Sequence, residues 1–305
     1  MIKSFDDIFY NLKKIEPMKL VVAAGEDQDV LESLLAARDK KIIHPIVTGN
    51  KAKISEIADK AGLDLTGVEI VETKDDEESV SKALSMIKSG EAELLMKGHI
   101  DTSKILRGVL DKKYDLKKEN VLSHVALFEI RDFPRLLIIS DVAMNIAPDL
   151  NQKHQIINNA VKFAHALGYD KPNVAIVCAV EKVNDKMPAT VDAKELVDRN
   201  KKGLIKGCNI SGPFALDNAL SDHSAKVKNI KDPNAGKSDI LIMPDIEAGN
   251  ILFKALTYLS PSRLAGIIMG AKIPIVLTSR SDSAETKLNS IALGVYLAQT
   301  GKDTL

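Results

Sequence analysis

Short aliphatic and β-branched runs alternate with stretches whose apolar positions recur every three or four residues, nearly from end to end of the chain. The spacing predicts a helix over 4–14 and a buried strand over 19–24, KLVVAA. Over 28–38, Val30, Leu31, Leu34 and Leu35 share one helical face. A strand at 45–48, a helix at 51–61 and a strand at 68–71 follow. In the helix predicted at 77–88, Val80, Leu84 and Ile87 are spaced to face a core, and a strand at 93–96 leads to a helix at 102–110. Continuous apolar strands separated by amphipathic helices mark a parallel sheet covered on both faces.

The middle of the chain breaks this rhythm. Two strand-like runs, 121–130 and 135–140, flank Arg131-Asp132-Phe133-Pro134 and predict an antiparallel hairpin. Helices are then predicted at 152–167, 189–200, 214–221 and 248–259, the last stopped by Ser260-Pro261, with strands at 173–178 and 239–243. A strand at 273–278, a turn at 279–283 and a helix at 285–299 close the chain. The expected fold class is α/β, in two lobes of parallel or mixed sheet with flanking helices. The first lobe comprises 1–143 and 262–305, the second 144–261.

Composition narrows the partners. The 305 residues carry 42 Lys and Arg against 42 Asp and Glu, so no net field draws the chain to nucleic acid or a membrane surface. Apolar residues make up 45% and charged residues 28%, the balance of a soluble globular protein. With no Trp and only 4% aromatics, base-stacking platforms are not expected. Cys178 and Cys208 form no CxxC, and the six His form no metal-binding spacing, so a reducing cytoplasm and no metal are expected. The opening MIKSFDDIFYNLKK lacks the apolar core of a signal peptide, and no apolar run approaches a membrane span. GxGxxG and GxSxG are absent, and the NAGKS at 234–238 lacks the first glycine of a phosphate-binding loop and precedes its strand.

Three strand-to-helix junctions carry candidate chemistry. Thr278-Ser279-Arg280-Ser281-Asp282-Ser283 sets four hydroxyls and a guanidinium between a buried strand and the last helix, where free N–H groups favour an anion. Capping accounts for Ser283 but not for that density of polar groups. MPDIEAGN at 243–250 places Asp245 and Glu247 at a strand end and in a first helical turn, where acids also cap. Gly249 and Asn250, poor helix formers, suggest a close approach by a ligand or another chain. MKGHIDT at 96–102 offers Lys97, His99 and Thr102, with Arg107 further along the helix; single Lys or His residues are as often structural. Ser211-Gly212-Pro213, read as a turn out of a strand, and Ser140-Asp141 with Asn145 are weaker candidates.

Together these segments resemble the phosphate acetyl/butyryltransferase family over nearly the whole chain. The carriers are VVAAGEDQDVLE at 21–32, KGHIDT at 97–102, SGPFALD at 211–217, NAGKSD at 234–239, MPDIEAGN at 243–250 and the Ser279-Arg280 turn. The length and the TSRSDS form look closer to the butyryl branch. The resemblance implies a two-lobed fold related to isocitrate and isopropylmalate dehydrogenases, with the site in a cleft between lobes. It implies the reaction acyl-CoA + phosphate = acyl phosphate + CoA through a ternary complex, with no cofactor, in a homodimer or larger assembly of dimers. Acetyl-specific members place a catalytic Asp six residues after the Arg; here that position is Thr286, and the nearest acid is Asp282.

A CoA thiol, with a pKa near 8.5, benefits from a base at neutral pH. The residues then suggest catalytic roles for Asp282 as proton acceptor, Arg280 on phosphate and Ser279 at the developing oxyanion. Lys97, His99, Thr102, Ser211, Asp245, Glu247, Asn250 and Ser283 are the expected substrate-binding set. Acetyl transfer, a nicotinamide-dependent dehydrogenase on the related fold and a non-catalytic binding protein are the rival readings.

Overall fold

The computed structural model describes residues 1–301 and divides them into two compact units. One comprises 4–119 and 264–301, the other 1–3 and 120–263. The sequence pattern had set the hairpin at 121–140 with the first lobe. In the structure its second strand pairs with a strand of the second unit as well as with its hairpin partner, and the division falls at 119/120 and 263/264.

In the first unit, β1 (Met18–Ala23), β2 (Ile43–Gly49), β3 (Glu69–Glu72) and β4 (Leu94–Lys97) alternate with helices, as the periodicity predicts. The helices are α1 (Phe5–Leu12), α2 (Gln28–Asp39), α3 (Lys51–Ala61), α4 (Asp76–Ser89) and α5 (Thr102–Leu110). Each of α1 to α4 opens on a side-chain cap, from Ser4, Asp27, Asn50 and Asp75 in turn. β10 (Ser262–Met269), β11 (Ile275–Val276) and α11 (Ala284–Thr300) complete the unit. Its strands run in the order β3-β2-β1-β4-β11-β10, parallel except that β10 opposes β11. All four residues of β4 are buried, and five of the six in β1, as a strand covered on both faces requires. α11 packs on α1 and α2, and α4 on β1, β2 and α5.

In the second unit the hairpin forms as predicted, from β5 (Ser123–Ile130) and β6 (Leu137–Ser140). Next come α6 (Leu150–Ala166), β7 (Asn173–Val177), α7 (Pro188–Lys201) and β8 (Asn209–Phe214). After the short α8 (Leu216–Leu220) and α9 (Asp222–Val227), the unit ends with β9 (Ile240–Ile242) and α10 (Ile246–Leu259). The strand order is β5-β6-β9-β7-β8, with every pair after the hairpin parallel.

Two strands fall outside the ranges the pattern predicts. In β8, Ser211-Gly212-Pro213 is not a turn leaving a strand but the interior of one, joined through a cis Gly212–Pro213 bond. In β10 the Ala265-Gly266 pair dilutes the β-branched signal; the strand is held by pairing with β11 and by Gly266 N–H donating to Ser290 Oγ at 3.0 Å. Among the described residues no helix is long and apolar enough to cross a membrane.

Candidate active site

Three parallel strands of the first unit end side by side, β1 and β11 flanking β4. From β1 the chain proceeds outward to β2 and β3, whereas β4 lies on the other side of β1. The carboxyl ends of β1 and β4 therefore bracket a topological switch point, where open α/β sheets form their binding crevices.

β4 ends on Lys97, in register with Ala23. The next two N–H groups stitch the chain onto the end of β1: Gly98 donates to Ala23 O at 2.9 Å and His99 to Ala24 O at 2.6 Å. A Cβ on Gly98 would lie 1.9 Å from Ala24 O, so only glycine fits there. The stitch leaves the Lys97 side chain 3% exposed, its Nζ donating to the main-chain oxygens of Gly98 (3.2 Å) and Ile100 (3.1 Å). Among the described residues no carboxylate lies within ion-pair distance of that ammonium. Burial, with the nearby charges of Arg280 and Lys287, lowers its pKa from 10.5 to about 8, against the opposing pull of Asp27 and Asp282. His99 is exposed, with Nδ1 3.4 Å from Asp27 Oδ2; the other oxygen of Asp27 caps α2 through Val30 N–H.

From β11 the chain turns through Thr278–Ser283 into α11. Ser279 N–H donates to Asp282 Oδ2 at 2.7 Å, and Asp282 N–H to Ser279 O at 3.2 Å. Asp282 is buried, and its Oδ1 has no hydrogen-bond partner. Lys287, also buried, reaches back from the first turn of α11 to donate to the Asp282 main-chain oxygen. Ser283 accepts from Thr286 N–H at 3.2 Å, so it caps the helix and is spent on structure. Ser279 is half-buried, its hydroxyl 3.1 Å from that of Ser281. Arg280 is exposed and pairs with Asp101, which precedes α5 without capping it.

This unit thus collects Lys97, His99, Thr102, Ser279, Arg280, Asp282 and Ser283 at neighbouring strand ends, with Thr102 the first residue of α5. Arg107 is exposed further along that helix. Sequence reasoning missed Asp27, Asp101 and Lys287. For Lys287 a signal existed: it falls in the buried row of α11 with Ile291 and Val295, where a lysine is out of place.

Ser211, Asp245, Glu247 and Asn250 belong to the second unit. Ser211 is buried, donating to Asp232 Oδ1 at 2.9 Å and accepting from Asn234 Nδ2 at 3.1 Å, an internal network. Asp245 caps α10 through Ala248 N–H at 2.8 Å, Glu247 is exposed, and Asn250 donates to Val142 O at 3.2 Å. The close approach suggested by Gly249 is made by the chain itself: a Cβ there would meet Asp141 O at 2.2 Å. Among the described residues no group of three or more His, Cys, Asp or Glu is arranged to hold a metal ion.

A family model described as phosphate acetyl/butaryl transferase matches residues 4–81 and 76–295. A phosphate butyryltransferase of Clostridium beijerinckii is 45% identical over 302 residues, 99% of this chain and 100% of that protein. A phosphate acetyltransferase of Thermotoga maritima is 44% identical over 280 residues, 92% of this chain and 95% of that one. Among solved structures, a branched-chain phosphotransacylase from Enterococcus faecalis V583 superposes with a TM-score of 0.83 at 31% identity, covering 92% of this chain and 99% of that chain.

Proposed function

This chain belongs to the phosphate acetyl/butyryltransferase family, and on that premise we propose that it moves a short-chain acyl group, butyryl in preference, between CoA and inorganic phosphate. The observation that carries the reading is full-length identity of 45% to a phosphate butyryltransferase. The strand-end cluster supplies the chemistry. Arg280 offers an exposed fork of donors for a phosphate, already holding a carboxylate in Asp101. Ser279 Oγ–H is the donor to the oxyanion that develops as the acyl carbon is attacked. Two buried groups beside this turn are suited to accept the thiol proton: Asp282, the carboxylate nominated by the sequence, and Lys97.

His99 and Thr102 complete the substrate-binding set at the β4 end. Ser211, Asp245, Glu247 and Asn250 remain proposed contributors from the second unit. The family premise also supports action in the cytoplasm on acyl-CoA and phosphate alone, without a further cofactor, in a homodimer or larger assembly of dimers.

Acetyl transfer is the second reading, favoured by the 44% identity to a phosphate acetyltransferase. Butyryl exceeds acetyl by two methylenes, each shifting transition-state binding by about 1–3 kcal/mol, so the two activities differ in rate rather than in kind. Release of free thiol from acetyl-, butyryl- and branched acyl-CoA, each with and without phosphate, decides. Phosphate-dependent release fastest from butyryl-CoA is the expected result. Release from none of the thioesters would remove the transferase reading.

A further inference from the structure

We propose that Lys97 is the catalytic residue that carries the transferred proton, taking it from the CoA thiol and delivering it to the departing phosphate oxygen. The inference rests on the acyl-transfer reading and adds a proton path to it.

The described residues include three buried lysines, and they are held differently. Lys153 is paired with the Asp192 carboxylate at 2.7 Å, and Lys287 braces the Asp282 main-chain oxygen. Lys97 has only the two carbonyl oxygens of Gly98 and Ile100 for its three N–H groups. In the ammonium form one N–H is therefore left without an acceptor among the described residues. Burying an ammonium without a carboxylate is costly, and burial favours the neutral amine. A group kept in that condition at a switch point, next to the turn carrying Ser279 and Arg280, is suited to exchanging a proton.

Lys97 is matched to this role by its proton affinity, and Asp282 is placed for another. A proton carrier works best when its affinity matches the groups it serves. Lys97, at about 8, lies within a unit of a thiol at about 8.5. Asp282 is also committed through Oδ2 to the Ser279 N–H. It acts through that turn as a positioning residue. The charged groups bearing on Lys97 are Asp27 at the start of α2, Arg280 and Asp282 in the turn and Lys287 on α11.

The step balances. As sulfur attacks the acyl carbon, the carbon–sulfur bond forms and the neutral amine accepts the thiol proton. The bond from the acyl carbon to the phosphate oxygen breaks, with its electron pair leaving on oxygen. The ammonium returns its proton there, so hydrogen phosphate departs and the amine is neutral again. In reverse, hydrogen phosphate surrenders the proton and the departing thiolate receives it.

The test follows turnover of butyryl-CoA at saturating phosphate, in the direction where no free thiol is a reactant. Wild-type kcat should rise about fivefold from pH 7 to 8 as the amine is freed. Lys97→Arg and Lys97→Met should each lose at least about a hundredfold in kcat and the rise with it, with the phosphate KM within about threefold. Asp282→Asn should keep the rise. Lys97→Arg with turnover within about fivefold of wild type and the same rise overturns the proposal, as does loss of the rise in Asp282→Asn alone. If wild type shows no phosphate-dependent turnover of any acyl-CoA, the acyl-transfer reading fails rather than the assignment within it. Should neither Lys97 variant fold, spectra of wild-type protein labelled with ¹³C at lysine Cε provide the test. One lysine titrating near 8 and responding to phosphate is required; all lysines titrating above about 9.5 overturns the assignment.

Discussion

Ser279 and Asp282 close on each other twice across the turn joining β11 to α11. The Ser279 N–H donates to Asp282 Oδ2 at 2.7 Å, and the Asp282 N–H donates to Ser279 O at 3.2 Å. A buried carboxylate that satisfies a main-chain donor fixes where the Ser279 hydroxyl and the Arg280 guanidinium emerge. Removing the acceptor leaves a backbone N–H unpaired, at a cost of about 1–3 kcal/mol. Asp282→Ala should lower unfolding free energy by that amount in urea titrations, while Asp282→Asn, whose amide oxygen still accepts, should lower it by less.

The two hydroxyls at either end of the turn have different work. Ser279→Ala should reduce kcat by a factor of roughly a hundred to a thousand, as expected for loss of an oxyanion donor. Ser283→Ala removes the α11 cap and should cost about 0.5–2 kcal/mol of stability with kcat nearly unchanged. Steady-state kinetics and denaturant melts on the same pair separate the roles; equal kinetic losses would refute the division.

Arg280 and Asp101 are both exposed, so their pairing adds less than about 1 kcal/mol to stability. Arg280→Ala should leave the melting temperature almost unchanged and raise the phosphate KM by an order of magnitude or more. Asp101→Asn, which frees the guanidinium, should lower that KM. Opposite signs for the two variants in one phosphate titration are the signature.

Gly98→Ala introduces a Cβ 1.9 Å from Ala24 O, a main-chain atom that cannot swing aside. The expected cost is about 1–3 kcal/mol or more, with Lys97 displaced and kcat reduced. Normal stability together with normal turnover would show that the stitch between β1 and β4 yields without consequence.

Lys97 also writes a pH dependence into stability. Its pKa is about 8 in the folded chain and near 10.5 when unfolded. Between those values the unfolded state binds more protons, so stability rises with pH through that window. Below about pH 8 both states are protonated, and the penalty of the buried charge is felt in full. Relative to Lys97→Met, which cannot titrate, wild type should gain on the order of 3 kcal/mol between pH 7 and 10.5. Parallel urea melts across that range measure the difference; a constant gap would mean that Lys97 titrates normally.

Much of the candidate site was legible because its signals are local. A buried strand, a polar junction and a helix face occupy a few consecutive residues each, as in Lys97 after β4 or Ser279 after β11. What local pattern could not separate was a ligand's demand from a neighbour's. Gly249 looked like room for a ligand and is room for Asp141 O, and Ser211 looked like an open turn and is a buried strand residue.

By itself the sequence determined the α/β alternation, most helix limits, the neutral charge balance and the junctions worth watching, since hydrophobic period and capping chemistry act within a few residues. The family likeness, too, was written in separated motifs. Tertiary structure alone decided that β4 lies between β1 and β11, that β10 pairs with β11, and that Asp101 meets Arg280 across 179 positions. Strand order and register depend on which surfaces bury one another, and a short run of Leu, Ile and Val carries little information about its neighbour. The same burial decides whether a lysine is an ordinary ammonium in water or, like Lys97, one poised to lose its proton.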